Sequence, residues 1–465
     1  MKILPQKPLF GLPALLFACS SSPSATSGAS GSPSAGASAG TATSAGAGAG
    51  ADTGAGGTSS AGASGGGATT GGSGTTAGAG TMAGSGGGGT TGSAGEAPMG
   101  FGPNVLVFDP TTPMATIQAQ IDAAYADQFM GQFSVKRYAF LFKPGAYQLD
   151  VKVGYYTQAL GLGQKPDDVQ VAGAVRSTGI NNGNATLSFW RGAENMSVVP
   201  MPAGAPNMWA VSQGASFRRM HVQGSLILAD TGNSSGGFIA DTKAEGSVTS
   251  ASQQQYFLRN SDWKGWQGGV WNMVFSGDPA APSGAWPTSP YTVVDKTQVM
   301  REKPFLVLAA DGSYAVQVPS LQQNTSGSGW AANASAGAAT PIAQFYLAHD
   351  VDTAATINAA LDQGKYLLLT PGIYHLADAI KITRADTVVL GLGVPTLIAD
   401  AGTPAISIAD VSGVKIAGVL VQAGAVESPT LVEVGPAGAT ASHADNPTSL
   451  HDVYCRVGGG AGGVA

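Results

Sequence analysis

Between Gln253 and Phe275 stand three of the chain's seven tryptophans, Trp263, Trp266 and Trp271, interleaved with Gln255, Arg259, Asp262 and Asn272. Indole faces stack on pyranose rings, and amides and a guanidinium fix hydroxyls, so this strip is the best candidate surface for binding sugar. The same tryptophans could instead pack a seam between domains. Cleaving a glycosidic bond would also take two carboxyl groups, one protonated and one ionised. Asp262 inside the strip, and Asp241 and Glu245 on the loop before it, are the candidates, but nothing in their spacing forces two together. Each fits a solvated loop acid better than a catalytic group. Gln253 to Gln255 also fit an amide ladder, and Asp350, Asp352, Glu427 and Asp452 occur singly and make no motif. No Cys or His pair stands at zinc-ligand spacing, so neither metal nor cofactor is expected.

The elements that must hold these residues show in an internal repeat. Ala115-Thr-Ile-Gln-Ala-Gln-Ile-Asp122 recurs as Ala355-Thr-Ile-Asn-Ala-Ala-Leu-Asp362. Tyr138-Ala-Phe-Leu-Phe-Lys-Pro-Gly-Ala-Tyr-Gln-Leu149 recurs as Tyr366-Leu-Leu-Leu-Thr-Pro-Gly-Ile-Tyr-His-Leu376, and Leu160-Gly-Leu-Gly163 as Leu390-Gly-Leu-Gly393. The offsets are 240, 227 and 230 residues, so order and approximate spacing are kept. Thr112 can cap a helix with Pro113 at its first position, and Ile117, Ile121 and Ala124 then share a face, as do Ile357 and Leu361. A short helix with one apolar stripe needs a partner, and the open end of a strand stack is the natural one.

Apolar triplets broken by Gly, Asn and Asp follow each helix at irregular intervals, among them Thr186–Trp190, Phe217–Val222 and Val270–Phe275 in the first half and Ala405–Ile408 and Val414–Leu420 in the second. These suit rungs of a solenoid with loops of varied length. The predicted fold is all-β: two β-helix domains, each opened by a capping helix. Phe305–Leu308 and Tyr314–Val318 around Asp311-Gly312 read as a hairpin in a connector.

Composition fixes the setting. Asp+Glu 28 against Lys+Arg 22 gives a net charge of −6, with only 11% charged residues, which excludes a nucleic-acid reader. Lys2 and Lys7 precede an apolar run that ends in Leu16-Phe17-Ala18-Cys19. This resembles a bacterial lipobox, which implies a lipoprotein signal over residues 1–18, Cys19 as the lipidation site and the outer membrane or cell surface as the destination. Residues 19–97 carry the lipid anchor and a Gly/Ala/Ser/Thr-rich tether, with an r.m.s. reach of roughly 45–55 Å. The domains expected beyond it are 98–276 (first β-helix), 277–344 (connector) and 345–465 (second β-helix). Cys455, flanked by Val453 and Val457, reads as a small core residue.

The blocks Ala-x-Ile-x-Ala-x-Ile-Asp, Pro-Gly-x-Tyr and Leu-Gly-Leu-Gly resemble the opening of right-handed parallel β-helix proteins of the pectate-lyase superfamily. Two openings in one chain resemble the family 55 glycoside hydrolases, exo-acting β-1,3-glucanases built from two side-by-side β-helices. The resemblance implies a polysaccharide partner and an acid on the second β-helix facing the inter-domain cleft, to which no residue here is matched. Ser252–Tyr256, Arg259–Trp263, Gly268–Asn272 and Arg301–Pro304 also resemble secreted bacterial proteins sometimes labelled adenylyl cyclase, a chemistry for which the chain shows neither a phosphate loop nor a paired-Asp metal site.

The sequence thus predicts a surface-anchored glycoside hydrolase acting on a β-glucan-like polysaccharide, with a non-catalytic polysaccharide-binding or adhesin-like solenoid as the alternative. Oligomeric state is not readable. The second repeat unit is about 51 residues shorter than the first, so the second β-helix is expected to be incomplete and the chain weakly active or inactive.

Overall fold

A computed structural model describes residues 100–332 and 337–458. The expected signal, Cys19 and the tether lie outside the described residues. Both helices begin where the repeat begins: α1 spans Met114–Gln128 and α2 spans Ala354–Asp362. Thr353 caps α2 through its side chain, which accepts from the Thr356 amide at 3.2 Å. In α1 the cap position falls instead to Pro113, without a side-chain bond, one residue later than Thr112 promised. Ile117, Ile121 and Ala124 are buried in the first core, and Ile357 and Leu361 in the second.

After α1 the chain winds as a parallel β-helix. One sheet takes a strand from each turn, in the order Val105–Phe108, Tyr138–Phe142, Thr157–Gly161, Arg191–Pro200, Ala215–Val222, Phe238–Ala240, Gln255–Arg259, Asn272–Ser276 and Tyr291–Val294. All of these neighbours pair in parallel. A four-stranded sheet closes another side, and aromatic and branched side chains such as Phe140, Trp209, Phe217 and Phe275 fill the interior. The second coil repeats the design with Phe345–Ala348, Tyr366–Leu369, Val388–Gly391, Lys415–Ala423 and Ser449–Arg456, in that order. Between the coils, Phe305–Leu308 and Tyr314–Pro319 form the antiparallel hairpin.

Some triplets do not become strands. Thr186–Trp190 is a turn, because Trp190 takes a left-handed φ of 48° and its ring leaves the core to stack on Tyr156. Cys455 is exposed, not a core residue. Its strand, Ser449–Arg456, pairs on one side only among the described strands.

The repeated Tyr of Pro-Gly-x-Tyr has a mechanical role. The Tyr147 hydroxyl donates to the carbonyls of Phe108 and Lys143, at 3.0 and 2.8 Å, and Tyr374 does the same to Ala348 and Thr370, at 2.7 and 3.0 Å. Each hydroxyl ties the end of its coil's first strand to the following turn. The Phe108 and Ala348 carbonyls also accept from the Lys143 and Thr370 amides, at 3.0 Å each, so there the hydroxyl adds a second donor.

Candidate functional site

The leucines of both Leu-Gly-Leu-Gly motifs, Leu160, Leu162, Leu390 and Leu392, are buried in one cluster with Leu141, Leu368 and Ala417. This cluster is the seam where the two coils lie side by side. Its motif glycines let backbones approach: a Cβ on Gly161 would fall 1.9 Å from the Asn195 carbonyl oxygen. Polar ties cross the same seam, with the Gly393 amide donating to Gln158 Oε1 at 2.8 Å and Arg137 Nη2 to Thr396 Oγ1 at 2.8 Å.

Further along, the seam turns ionic. His451 and Val453 pair with Ala417 and Val419, which sets Asp452 opposite Gly418, and both bend residues have left-handed φ, 51° and 72°. From that bend the Asp452 carboxylate meets Arg218 of the first coil, accepting from Nε at 2.9 Å and from Nη2 at 2.8 Å, and from Ser216 Oγ at 3.1 Å. Both side chains are 5% exposed. The connector adds Glu302, 2.5 Å from Arg259 and 3.9 Å from Arg218, and Lys303, paired with Glu194. Burial alone would raise the Asp452 carboxyl, but the charge and hydrogen bonds of Arg218 hold it below its ordinary value. His451 is pushed the other way for a base: burial, then Arg218 and Arg259, keep its imidazole well below its ordinary range and neutral. The Glu302 Oε1, Glu194 Oε1 and His451 Nε2 atoms are buried without a hydrogen-bond partner among the described residues.

Beyond this cluster the outward face of the first sheet is more open. Strand alternation sends Tyr256, Leu258, Met273 and Phe275 inward to the core, and so sets Gln255, Phe257 and Arg259 outward beside Asn272, Val274 and Ser276. Phe238 precedes Phe257 in the same column, their rings 5.1 Å apart. Arg218 lies over the Phe238 ring at 4.5 Å, and Phe257 is 37% exposed. Aromatic, amide and guanidinium groups therefore share one face at the edge of the seam, an arrangement that can stack a sugar ring and grip its hydroxyls.

The structure thus gathers Gln255, Arg259 and Asn272 on one face, with Trp271 at its margin, 57% exposed. It separates the other two tryptophans from them. Trp263 is a core residue of the first coil, with its Nε1 donating to the Ala280 carbonyl at 2.9 Å. Trp266 lies on the four-stranded sheet, edge-to-face on Phe275. Neither packs the seam between the coils.

The three candidate acids are also placed elsewhere. Asp262 Oδ2 accepts from the Ser328 amide and hydroxyl, both at 2.7 Å, and Asp241 Oδ1 accepts from the Gly329 amide at 2.5 Å. Both fasten the connector's turn to the first coil. Burial and the nearby Glu302 raise the Asp241 carboxyl, with Arg219 opposing. Glu245 is part-exposed, and its hydrogen bonds with Lys243 and His221 lower it. Glu302 lies near Asp241 and Asp278 near Asp262, but Glu302 is already taken by Arg259 and Asp278 by the Ser261 amide. The seam charges went unread because they come from rungs far apart in sequence, although Arg301-Glu302-Lys303 is a run of three charges in a chain with few.

Two coiled, capped parallel β-helices packed along one seam define a pectate-lyase-like protein. Residues 345–465 match the LAM55 pectate lyase-like domain. The chain is 50% identical over 368 residues to an exo-β-1,3-glucanase of Streptomyces sp. (strain SirexAA-E / ActE), covering 78% of this chain and 60% of that protein. It is likewise similar to the solved structure of sacteLam55A from Streptomyces sp. SirexAA-E, with 50% identity and a TM-score of 0.75 over 77% of this chain and 65% of that one. A variant of that protein solved in complex with glucose gives a TM-score of 0.74. The chain therefore spans under two thirds of the length of these relatives. Over the part it covers, the chain resembles these proteins in both sequence and fold.

Proposed function

We propose that this protein is a glycoside hydrolase acting on a β-1,3-glucan-like polysaccharide, and that Gln255, Phe257, Arg259 and Asn272 form a wall along which the sugar chain lies. The observation that carries the reading is the 50% identity to an exo-β-1,3-glucanase, on a fold that sets these side chains on one open face beside the seam. Phe238 and Phe257 supply the apolar surface, Gln255 and Asn272 amide donors and acceptors, and Arg259 a cation already oriented by Glu302. Trp271 extends the wall.

Hydrolysis further needs an acid that keeps its proton and a second carboxylate. Asp452 is held ionised by Arg218, Glu302 is engaged by Arg259 and Arg218, and Glu194 by Lys303, so each of the three seam carboxylates is tied to a cation and none stands free as the proton donor. That engagement favours a second reading, a non-catalytic polysaccharide-binding surface protein, in which the same face binds and nothing is cut. Incubating the full chain with β-1,3-, β-1,4- and mixed-linkage glucans, while measuring both released sugar and retention on each polymer, separates the two. Release from β-1,3-glucan supports the hydrolase, retention without release supports the binding protein, and neither removes both.

Location is part of the same proposal. Cleavage before Cys19 and its lipidation would hold the folded coils off the membrane on the 19–97 tether. Replacing Cys19 by Ser should then move the protein from the membrane to the soluble fraction.

A further inference from the structure

The outer face of the first coil carries a groove of about 500 Å³ that shares no lining residue with the seam cluster or the open sheet face. Its floor is the pair of strands Gly145–Lys152 and Val169–Arg176, where Ala172, Gly173 and Ala174 leave the backbone uncovered. On one side stand Gln148, Asp150 and Arg176. The guanidinium is fixed by two bonds to the Asp150 carboxylate, Nε to Oδ1 at 2.6 Å and Nη2 to Oδ2 at 2.7 Å. Gln148 is exposed, and its amide takes no partner among the described residues. Met201, Pro206 and Met208 form the opposite side, with Met201 55% exposed.

We infer that this groove is a second binding site for a neutral polysaccharide chain, an inference that rests on the proposed action on β-glucan. The volume is that of a ligand site. A sugar chain has hydroxyl edges and apolar ring faces, and the groove offers an amide and a pre-oriented guanidinium along one wall and thioether and proline surface along the other. Because Asp150 neutralises Arg176, the groove has no uncompensated charge to select an anionic polymer. The small-residue floor lets an extended chain lie close to the strands. Such a site would hold the polymer while the face beside the seam engages another part of it, raising the effective concentration of substrate there.

The test is electrophoresis of the full chain through native gels containing laminarin or, as an anionic comparison, polygalacturonate. Wild type should be retarded by laminarin and not by polygalacturonate. Ala172→Arg, which fills the floor, and Gln148→Ala, which removes only an exposed amide, should each weaken retardation by about threefold or more, the worth of a hydrogen bond in affinity. Val351→Ala, at an exposed position on the second coil, is the control and should keep the retardation, whereas Phe257→Ala, at the other face, should weaken it independently of the groove. If wild type is retarded and both groove variants match it, or if only Phe257→Ala loses retardation, the groove assignment is wrong while the proposed function stands. If wild type is retarded by no glucan and releases no sugar, both fall together.

Discussion

Gln118 and Asn358 stand at the same position of the repeat and do the same thing: each closes the open edge of its own coil with a side-chain amide. Gln118 Nε2 donates to the Asp150 carbonyl at 3.0 Å while its Oε1 accepts from the Asp150 amide at 2.9 Å. Asn358 Nδ2 donates to the Ala379 carbonyl at 2.9 Å and its Oδ1 accepts from the Lys381 amide at 2.8 Å. The amide thus stands in for a missing neighbouring strand. It also explains why the repeat keeps an amide at this position of the helix. Gln118→Leu and Asn358→Leu should each cost about 1–3 kcal/mol, since a strand donor and acceptor lose their partner. Denaturant unfolding of each variant measures this, and a loss near zero in both would mean that water replaces the amide without cost.

Asp452 and Arg218 should behave as a buried pair. Asp452→Ala leaves the guanidinium beside a neutral gap and should destabilise by about 3–5 kcal/mol, whereas Arg218→Met with Asp452→Leu should lose much less. Equal loss in the single and double variants would show that packing, not charge, holds the seam at this point.

The titration of His451 gives a pH dependence with a defined sign. Its folded form is neutral below the ordinary 6.5, so under that pH the unfolded chain binds the extra proton and stability falls as acid is added. The slope is at most about 1.4 kcal/mol per pH unit, and His451→Gln should remove it. Asp452, lowered, adds its own loss only below the ordinary carboxylate value of 3.8. Asp278 acts oppositely: burial pushes it up to about 8, so its contribution is full below 3.8 and is lost as pH rises toward 8. Differences of His451→Gln and of Asp278→Asn from wild type across pH 4–8 isolate the two slopes, and a His451→Gln curve parallel to wild type would contradict the first.

Asp262 is a fastener for the connector. Asp262→Asn should leave polysaccharide retention and any sugar release intact while lowering the melting temperature, because the Ser328 amide and hydroxyl lose a charged acceptor, worth about 1–3 kcal/mol. Loss of turnover with an unchanged melting temperature would return Asp262 to the list of catalytic groups.

The fold was legible because its signals are local. The helix stripe of Ile117 and Ile121, the Pro-Gly turn and the hairpin around Asp311-Gly312 each fall within a few residues. The site was half legible. Gln255, Arg259 and Asn272 were found because they lie in adjacent rungs, and Phe257, two residues from each of the first two, was passed over for the larger indoles. Trp263 and Trp266 misled because an indole also suits a coil interior, and only the register tells inward from outward. Arg218, Glu302 and Asp452 come together across more than 200 residues, through a seam whose register no short motif records.

The central claim is that the open face of the first coil receives a β-1,3-glucan. Binding of laminarin oligosaccharides to the full chain, followed by titration calorimetry for wild type and for Phe257→Ala with Gln255→Ala, tests it most directly. Wild type should bind saturably, the double variant about tenfold or more weakly, and β-1,4-linked oligosaccharides should show no comparable binding. Equal binding of both linkages, or no change in the double variant, would contradict it.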